Sequence, residues 1–143
     1  MSGNNRPYRV AVFEDTELFA KLVIDALLAH GAEVLWFIGA TEPLSVHGVT
    51  AIHPDSSNEH TLTRALSAQD VDFVLTDGML WGPCSGMNIV EWCGQVGKPC
   101  LAMSDSDDSN NEMVAAGARH GFTKMAMRNY ILQLHSLDQL AKT

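Results

Sequence analysis

Acidic residues directly follow two apolar runs that the sequence predicts to be buried strands. Glu14 and Asp15 come after a run that ends at Phe13, and Asp77 comes after the run 73–76. A strand-end Asp is also a common turn residue, and Asp77 alone is compatible with that simpler role. Because ligands of open parallel sheets bind beyond the carboxyl ends of the strands, we expect the three carboxylates to lie close together. Crowded carboxylates repel one another, and oxygen ligands without Cys or His suit Mg²⁺, which would relieve that repulsion.

Two further predicted strands end in residues that could assist phosphoryl transfer. Ser104 follows the apolar run 99–103, and Lys124 follows the short run 121–123. A carboxylate such as Asp77 can act as a nucleophile and form an aspartyl-phosphate. Transfer then needs positive charge on the phosphoryl oxygens, which a metal ion and the Lys124 ammonium would supply, while the Ser104 hydroxyl could donate to another oxygen. The five strand-end residues together indicate a phosphoryl-accepting site.

The apolar periodicity predicts alternating strands and helices. The predicted strands are 8–13, 33–38, 72–76, 99–103 and 121–123, and the predicted helices are 17–30, 58–68, 86–96, a short one ending near 116, and 128–140. This alternation is typical of a parallel sheet covered by helices on both faces. Within the poorly patterned segment 40–57, the short apolar piece 49–52 is either an extra edge strand or an ordered loop, since short apolar runs do not distinguish these.

Size and composition exclude several classes of protein. The chain has 143 residues, of which 46% are hydrophobic and 18% charged, and its net charge is −8. This suits a single domain, which we place at residues 8–141 after a flexible tail, 1–7. The acidic balance argues against direct nucleic-acid binding. No apolar run is long enough to cross a membrane and the polar N-terminus does not resemble a signal peptide, so a cytoplasmic location is expected.

The cysteines and histidines show no pattern of a metal site. The three cysteines, Cys84, Cys93 and Cys100, are odd in number and form no CxxC pair, so we expect reduced thiols packed as small apolar groups. The six histidines are scattered, and none pairs with a cysteine at zinc-ligand spacing.

Several motifs together resemble the response regulator receiver domain of two-component signalling, over nearly the whole chain from Tyr8 to Leu140. They are Val-Phe-Glu-Asp at 12–15, Val-Leu-Thr-Asp-Gly-Met-Leu-Trp-Gly at 74–82, Pro-Cys-Leu-Ala-Met-Ser at 99–104, Ala-Ala-Gly-Ala at 115–118 and Phe-Thr-Lys at 122–124. The resemblance implies a doubly wound, five-stranded parallel sheet of the flavodoxin type. The long connection between its second strand and second helix is foreign to such domains, and it is a tolerated insertion, an added edge element or a partner surface.

The resemblance also implies a role for each site residue and a set of partners. Asp77 would be the phosphoacceptor, Asp15 a direct and Glu14 a largely water-mediated ligand of Mg²⁺, Met79 a backbone-carbonyl ligand, Ser104 the switch hydroxyl, and Lys124 a contact of the phosphoryl group. A histidine kinase or phosphotransfer protein would be the donor. A downstream protein would bind the face built by the fourth helix, fifth strand and fifth helix, and a homodimer is a further option. Catalysis would be limited to self-catalysed phosphotransfer and autodephosphorylation.

Four positions depart from the receiver pattern. Trp81 replaces the proline that is usual three or four residues past the phosphoacceptor, and Gly121 stands where an aromatic switch residue is usual. Asp105 places an acid after the switch hydroxyl, which should disfavour a phosphoryl dianion by repulsion. Lys124-Met125 replaces Lys-Pro, and because a cis bond without proline costs about 2.5–4 kcal/mol, we expect a strained cis bond or a rearranged loop.

Two other functions compete with the phosphoacceptor. A divergent receiver could act as a phosphorylation-independent protein-interaction module, which Asp105 and Gly121 favour and the retained site residues oppose. A phosphatase with an aspartyl nucleophile usually has a second Asp two residues after the first, and Met79 occupies that position, so its general acid is missing.

Overall fold

The computed structural model describes residues 6–141, apart from the side chains at positions 42 and 43. Its strands are β1 (Arg9–Phe13), β2 (Glu33–Phe37), β3 (Gly39–Ser45), β4 (Gly48–Ile52), β5 (Thr63–Leu66), β6 (Phe73–Thr76), β7 (Cys100–Met103) and β8 (Gly121–Phe122). Its helices are α1 (Glu17–Ala29), α2 (Gly86–Val96), α3 (Asp107–Ala115), α4 (Lys124–Gln133) and α5 (Asp138–Ala141), with a 3-10 turn at Ala68–Asp70. Within these residues, none of the helices is long and apolar enough to cross a membrane.

Five strands form the parallel sheet that positions the site, in the order β2-β1-β6-β7-β8. β1 and β6 are neighbours at the point where the strand order reverses, and Phe13 pairs with Thr76 at the ends of these strands. Glu14 and Asp77 therefore follow immediately at the same edge of the sheet. This is the crevice in which open parallel sheets bind their ligands.

The two faces of the sheet carry separate hydrophobic clusters. Along β1, Val10 and Val12 point to the face that α1 and α4 cover, whereas Ala11 and Phe13 point to the face that α2 covers. This alternation follows from the two-residue period of a strand. The predicted doubly wound α/β class with five parallel strands is confirmed.

A second, three-stranded antiparallel sheet, β3-β4-β5, fills the long connection between β2 and β6. The predicted helix at 58–68 is wrong, because β5 pairs with β4 and Leu66 lies opposite Val49. Both of these side chains are buried in the cluster on the α2 face of the main sheet. As a strand, residues 63–66 form backbone hydrogen bonds with β4, whereas the predicted helix would have been polar and only weakly amphipathic. The apolar piece 49–52 thus lies in a strand of this separate sheet, and it is neither a loop nor an edge of the main sheet.

The predicted final helix at 128–140 is also wrong in its bounds, because α4 begins at Lys124 and ends at Gln133. Thr123 caps its start, since its hydroxyl oxygen accepts a hydrogen bond from the Ala126 N–H at 3.3 Å. Leu134 has an extended backbone, φ −69° and ψ 144°, and separates α4 from α5. Of the two outcomes expected after Lys124, the structure shows the rearranged connection: β8 passes almost directly into a helix.

Candidate functional site

Glu14, Asp15 and Asp77 form an acidic cluster at the carboxyl edge of the sheet. Carboxylate oxygens of the three residues lie within 4.8 Å of one another. Glu14 is fully buried, Asp77 is 7% exposed, and Asp15 is exposed to solvent. The arrangement arises because β1 and β6 are adjacent and in register, so the residues after their last pairs meet. Three close carboxylates with one open side are a donor set that suits a hard divalent cation.

Lys124 reaches into the acidic cluster from the first turn of α4. Its Nζ lies 2.9 Å from Glu14 Oε1 and 3.2 Å from Asp77 Oδ2. It also lies 4.2 Å from the centre of the Phe19 ring, which covers it from α1. The Lys124 backbone N–H donates a hydrogen bond to Asp105 Oδ1 at 3.0 Å. Lys124 is therefore held both at its backbone N–H and at its ammonium, and the ammonium contacts Asp77, the predicted phosphoacceptor.

Burial and charge change the pKa values of this cluster. Burial raises the pKa of Glu14 to about 7, and the charge of Asp77 adds to the rise, although Lys124 opposes it. Burial lowers the pKa of Lys124, but its contacts with Glu14 and Asp77 outweigh that effect and raise it overall. The positive charge of Lys124 therefore does not fully offset the burial of Glu14 and its repulsion by Asp77. An added cation would favour the charged form of Glu14.

Backbone contacts fix Asp77 from two sides. Its N–H donates to the Phe13 carbonyl at 2.9 Å, and its Oδ1 accepts from the Gly78 N–H at 2.7 Å. The Gly86 N–H donates to the Gly78 carbonyl at 2.9 Å, which brings the start of α2 against the loop. A Cβ at Gly86 would overlap the Asp77 carbonyl oxygen. Gly86 was not identified as a site residue from the sequence, although its place at the helix start in a glycine-rich loop was a usable signal.

Ser104 directly follows β7, and its hydroxyl oxygen accepts a hydrogen bond from the Ser106 N–H at 3.1 Å. The buried side chain of Asn110 bonds both backbone groups of Ser104. Sequence reasoning missed Asn110, because an Asn within a polar helical segment gives no signal that it points inward.

The remaining predicted residues lie at the rim of the site. Met79 is 81% exposed in the loop after β6. Asp105 is exposed and caps the start of α4 through the hydrogen bond to Lys124 described above. Trp36 and Trp81 line a cleft of about 440 Å³ that runs from Asp15 to the loop between β4 and β5. The loop between β4 and β5 therefore forms one wall of a cleft that opens beside the acidic cluster.

Comparison with known proteins gives structural matches only. No protein-family model matches the chain, and no curated protein matches its sequence. A response regulator from Chloroflexus aurantiacus is 15% identical with a TM-score of 0.64, and the match covers 96% of this chain and 100% of the other. The chain has the fold of a response regulator receiver domain.

Two further receiver structures support the same fold. The signal receiver domain of NarL from Mycobacterium tuberculosis is 19% identical with a TM-score of 0.64, covering 96% of this chain and 98% of the other. A response regulator from Burkholderia pseudomallei, solved with a phosphorylated aspartic acid, a calcium ion and citrate, is 20% identical with a TM-score of 0.57. That match covers 94% of this chain and 72% of the other. At these identities the likeness concerns the receiver fold, and the chemistry has to be argued from the residues.

Proposed function

We propose that the chain is a phosphoacceptor receiver of two-component signalling, in which Asp77 accepts a phosphoryl group and thereby switches a partner-binding face. One observation carries the proposal. At the carboxyl end of a central strand of a receiver fold, Asp77 Oδ2 lies 3.2 Å from Lys124 Nζ, and oxygens of Glu14 and Asp15 lie in the same cluster. A nucleophilic carboxylate, an ammonium and an oxygen donor set are the groups that phosphoryl transfer to an aspartate requires.

The acidic cluster fits Mg²⁺, which we propose as the metal. Glu14, Asp15, Asp77 and the backbone carbonyl of Met79 would hold it, and Lys124 is the ammonium that contacts two of these carboxylates. Bound Mg²⁺ would neutralise charge on the carboxylates and on the phosphoryl oxygens. A calcium ion was present with the phosphorylated aspartic acid in the Burkholderia pseudomallei protein, in keeping with a divalent cation in this fold.

The chain's own groups would divide the reaction among them. An Asp77 carboxylate oxygen would attack phosphorus as the bond from phosphorus to the donor's imidazole nitrogen breaks; with the other ring nitrogen already protonated, this leaves an acyl phosphate and a neutral imidazole. Lys124, already beside Oδ2, is placed to contact the incoming phosphoryl oxygens. Because the Ser104 oxygen accepts from a backbone N–H, its own hydrogen is available to donate to a phosphoryl oxygen. Water attack on the acyl phosphate would end the signal.

We infer the partners from the same role. The donor would be a histidine kinase or phosphotransfer protein, and the downstream protein would bind the face of α3, β8 and α4. Those elements carry the exposed side chains of Val114 and Met125 and connect directly to Ser104 and Lys124. The unit that acts would be one receiver domain spanning residues 8–141, in the cytoplasm, as a monomer or a homodimer.

Labelling by acetyl phosphate in the presence and absence of Mg²⁺ tests the proposal, with intact-mass detection of the phosphorylated chain. We expect Mg²⁺-dependent labelling that Asp77→Asn abolishes. Asp25→Asn is the matched control, because Asp25 is an exposed acid on the outer side of α1. Labelling that survives in Asp77→Asn, or a wild-type chain that takes no label with Mg²⁺ present, would show that the site does not have this function.

A further inference from the structure

The carboxamide of Asn110 lies in the interior between β7, β8 and α3. Asn110 is 6% exposed, although α3 as a whole is a polar helix. Its Oδ1 accepts from the Ser104 N–H at 3.0 Å, and its Nδ2 donates to the Ser104 carbonyl at 2.8 Å and to the Phe122 carbonyl at 3.0 Å. Both amide hydrogens and the carbonyl oxygen of the side chain are thus used.

These hydrogen bonds connect the Asn110 side chain to the backbone hydrogen bonds between β7 and β8. The Ser104 N–H also donates to the Phe122 carbonyl at 2.9 Å, so that carbonyl accepts from both Ser104 and Asn110. The Asn110 backbone N–H donates to the Ser106 carbonyl at 3.0 Å within the first turn of α3. Ser104 therefore cannot shift without moving Asn110, breaking buried hydrogen bonds, or both.

Gly121 makes the room that Asn110 occupies. A Cβ at position 121 would lie 2.8 Å from the Asn110 Cβ and 3.1 Å from its Cγ. Any larger residue at 121 would therefore require Asn110 or β8 to shift. The two positions form a matched pair: an inward Asn on α3 and a strand residue without a side chain.

Building on the proposed phosphoacceptor function, we propose that Asn110 is a positioning residue that regulates the site through Ser104. Its carboxamide sets where the Ser104 hydroxyl stands relative to Asp77. It also ties any movement of Ser104 toward a phosphoryl group to α3 and β8. Phosphorylation of Asp77 would act on α3 and β8 through the hydrogen bonds between the Asn110 side chain and the backbone of Ser104 and Phe122. These bonds can form because Gly121 has no side chain.

A double-mutant cycle on the rate of Asp77 labelling by acetyl phosphate tests this role. The cycle compares the wild type with Asn110→Ala, Ser104→Ala and the double variant, and Asn111→Ala is the matched control because Asn111 is the exposed neighbour on α3. We expect Asn110→Ala to slow labelling roughly 10- to 100-fold, the size of effect that a misplaced catalytic group causes. In the Ser104→Ala background the same change should cost about twofold or less, because residues that act through one another are not additive.

Two further measurements separate positioning from general damage. Asn110→Asp keeps the size of the side chain and its acceptor but loses both donors, and we expect it to slow labelling as Asn110→Ala does. Mg²⁺ binding, followed by tryptophan fluorescence, should be unchanged in folded Asn110 variants. In the wild type, the Asn110 side-chain amide resonances should shift when beryllofluoride binds Asp77, and Ser104→Ala should suppress that shift. This resonance test needs no Asn110 variant to fold.

The outcomes distinguish this inference from the function on which it rests. Equal slowing by Asn110→Ala with and without the Ser104 hydroxyl, no difference from Asn111→Ala, or amide resonances that ignore beryllofluoride would refute the role of Asn110 and leave the phosphoacceptor proposal intact. A wild-type chain that takes no label at Asp77 would overturn both.

Discussion

Gly86 connects the stability of the fold to the geometry of Asp77, and replacing it should disturb both. The residue begins α2, and its Cα faces the backbone of the loop after β6. A Cβ there would overlap the Asp77 carbonyl oxygen and lie 2.8 Å from both the Asp77 carbonyl carbon and the Gly78 Cα. All of these atoms belong to the backbone, so no side chain can turn away to make room. In Gly86→Ala, either α2 or the loop that carries Asp77 must move.

Gly94 on the same helix provides a matched control. Nothing lies within 4 Å of a Cβ built at Gly94, and the residue is exposed. Overpacking against a rigid neighbour costs about 1–3 kcal/mol, and we expect Gly86→Ala to lower the free energy of unfolding by an amount at the upper end of that range. Gly94→Ala should raise it by roughly 0.5–1 kcal/mol, the usual gain when Ala replaces Gly inside a helix. The two variants should differ by roughly 10 °C in Tm, at about 2–4 °C per kcal/mol for a chain of this length.

Urea unfolding followed by circular dichroism and by the fluorescence of the buried Trp92 would measure both free energies. Labelling of Asp77 by acetyl phosphate should fall in Gly86→Ala and stay at the wild-type level in Gly94→Ala. If Gly86→Ala were as stable as the wild type, the close approach of α2 to the Asp77 backbone would be wrong. If it were unstable but labelled normally once folded, the contact would matter for the fold and not for the site.

Three other perturbations test the fold and the electrostatics. Tyr8 is buried with its hydroxyl bonded to Asp138, and Tyr8→Phe should lower the free energy of unfolding by about 1.5–3 kcal/mol in urea titrations, as expected for a hydrogen bond to a charged group. Burial, followed by that bond, raises the pKa of Tyr8 to about 12. The pKa of Tyr8 in the folded chain lies above its ordinary value of about 10, so its stabilising effect is complete below pH of about 10 and is lost as the pH rises through about 12. Between these two pH values, the free energy of unfolding should fall more steeply in the wild type than in Tyr8→Phe. Lys124→Met leaves a buried Glu14 without its cation and should cost about 3–5 kcal/mol, and thermal unfolding with saturating Mg²⁺ should recover more stability in this variant than in the wild type. Mg²⁺ should change tryptophan fluorescence, and Trp81→Phe should reduce that change, since Trp81 shares a cleft with Asp15; an equal signal in the variant would contradict this placement.

Local patterns were sufficient to predict most of the sheet and the candidate acids. Each strand of the parallel sheet is a short apolar run. Where the run changes to polar residues, the sequence predicts the strand end, and Glu14, Asp15 and Asp77 lie at such ends whichever strands are neighbours. The helix at 86–96 was predicted with its observed bounds because its apolar residues recur at helical spacing and Gly97 takes up the left-handed conformation that ends it. These features depend on neighbouring residues in the sequence.

One error arose where a distant segment decides the local structure, and the other arose where a local capping signal was underweighted. Residues 63–66 form a strand because β4 offers an open edge, and their own sequence contains no sign of that edge. The C-terminal helix starts early because Thr123 caps it, a signal that was present but carried less weight than the apolar spacing further on.

The sequence by itself determined that this protein has an α/β core with acids at its strand ends, because alternating strands and helices are specified by apolar patterns between residues close in the chain. Only the tertiary structure decided how those ends meet. It placed the Lys124 ammonium on two carboxylates, the Gly86 backbone against Asp77, and the Asn110 carboxamide on Ser104. Each of these contacts joins residues from different elements of the fold. Their geometry depends on which strands are neighbours and how helices pack on them, and no local pattern records that.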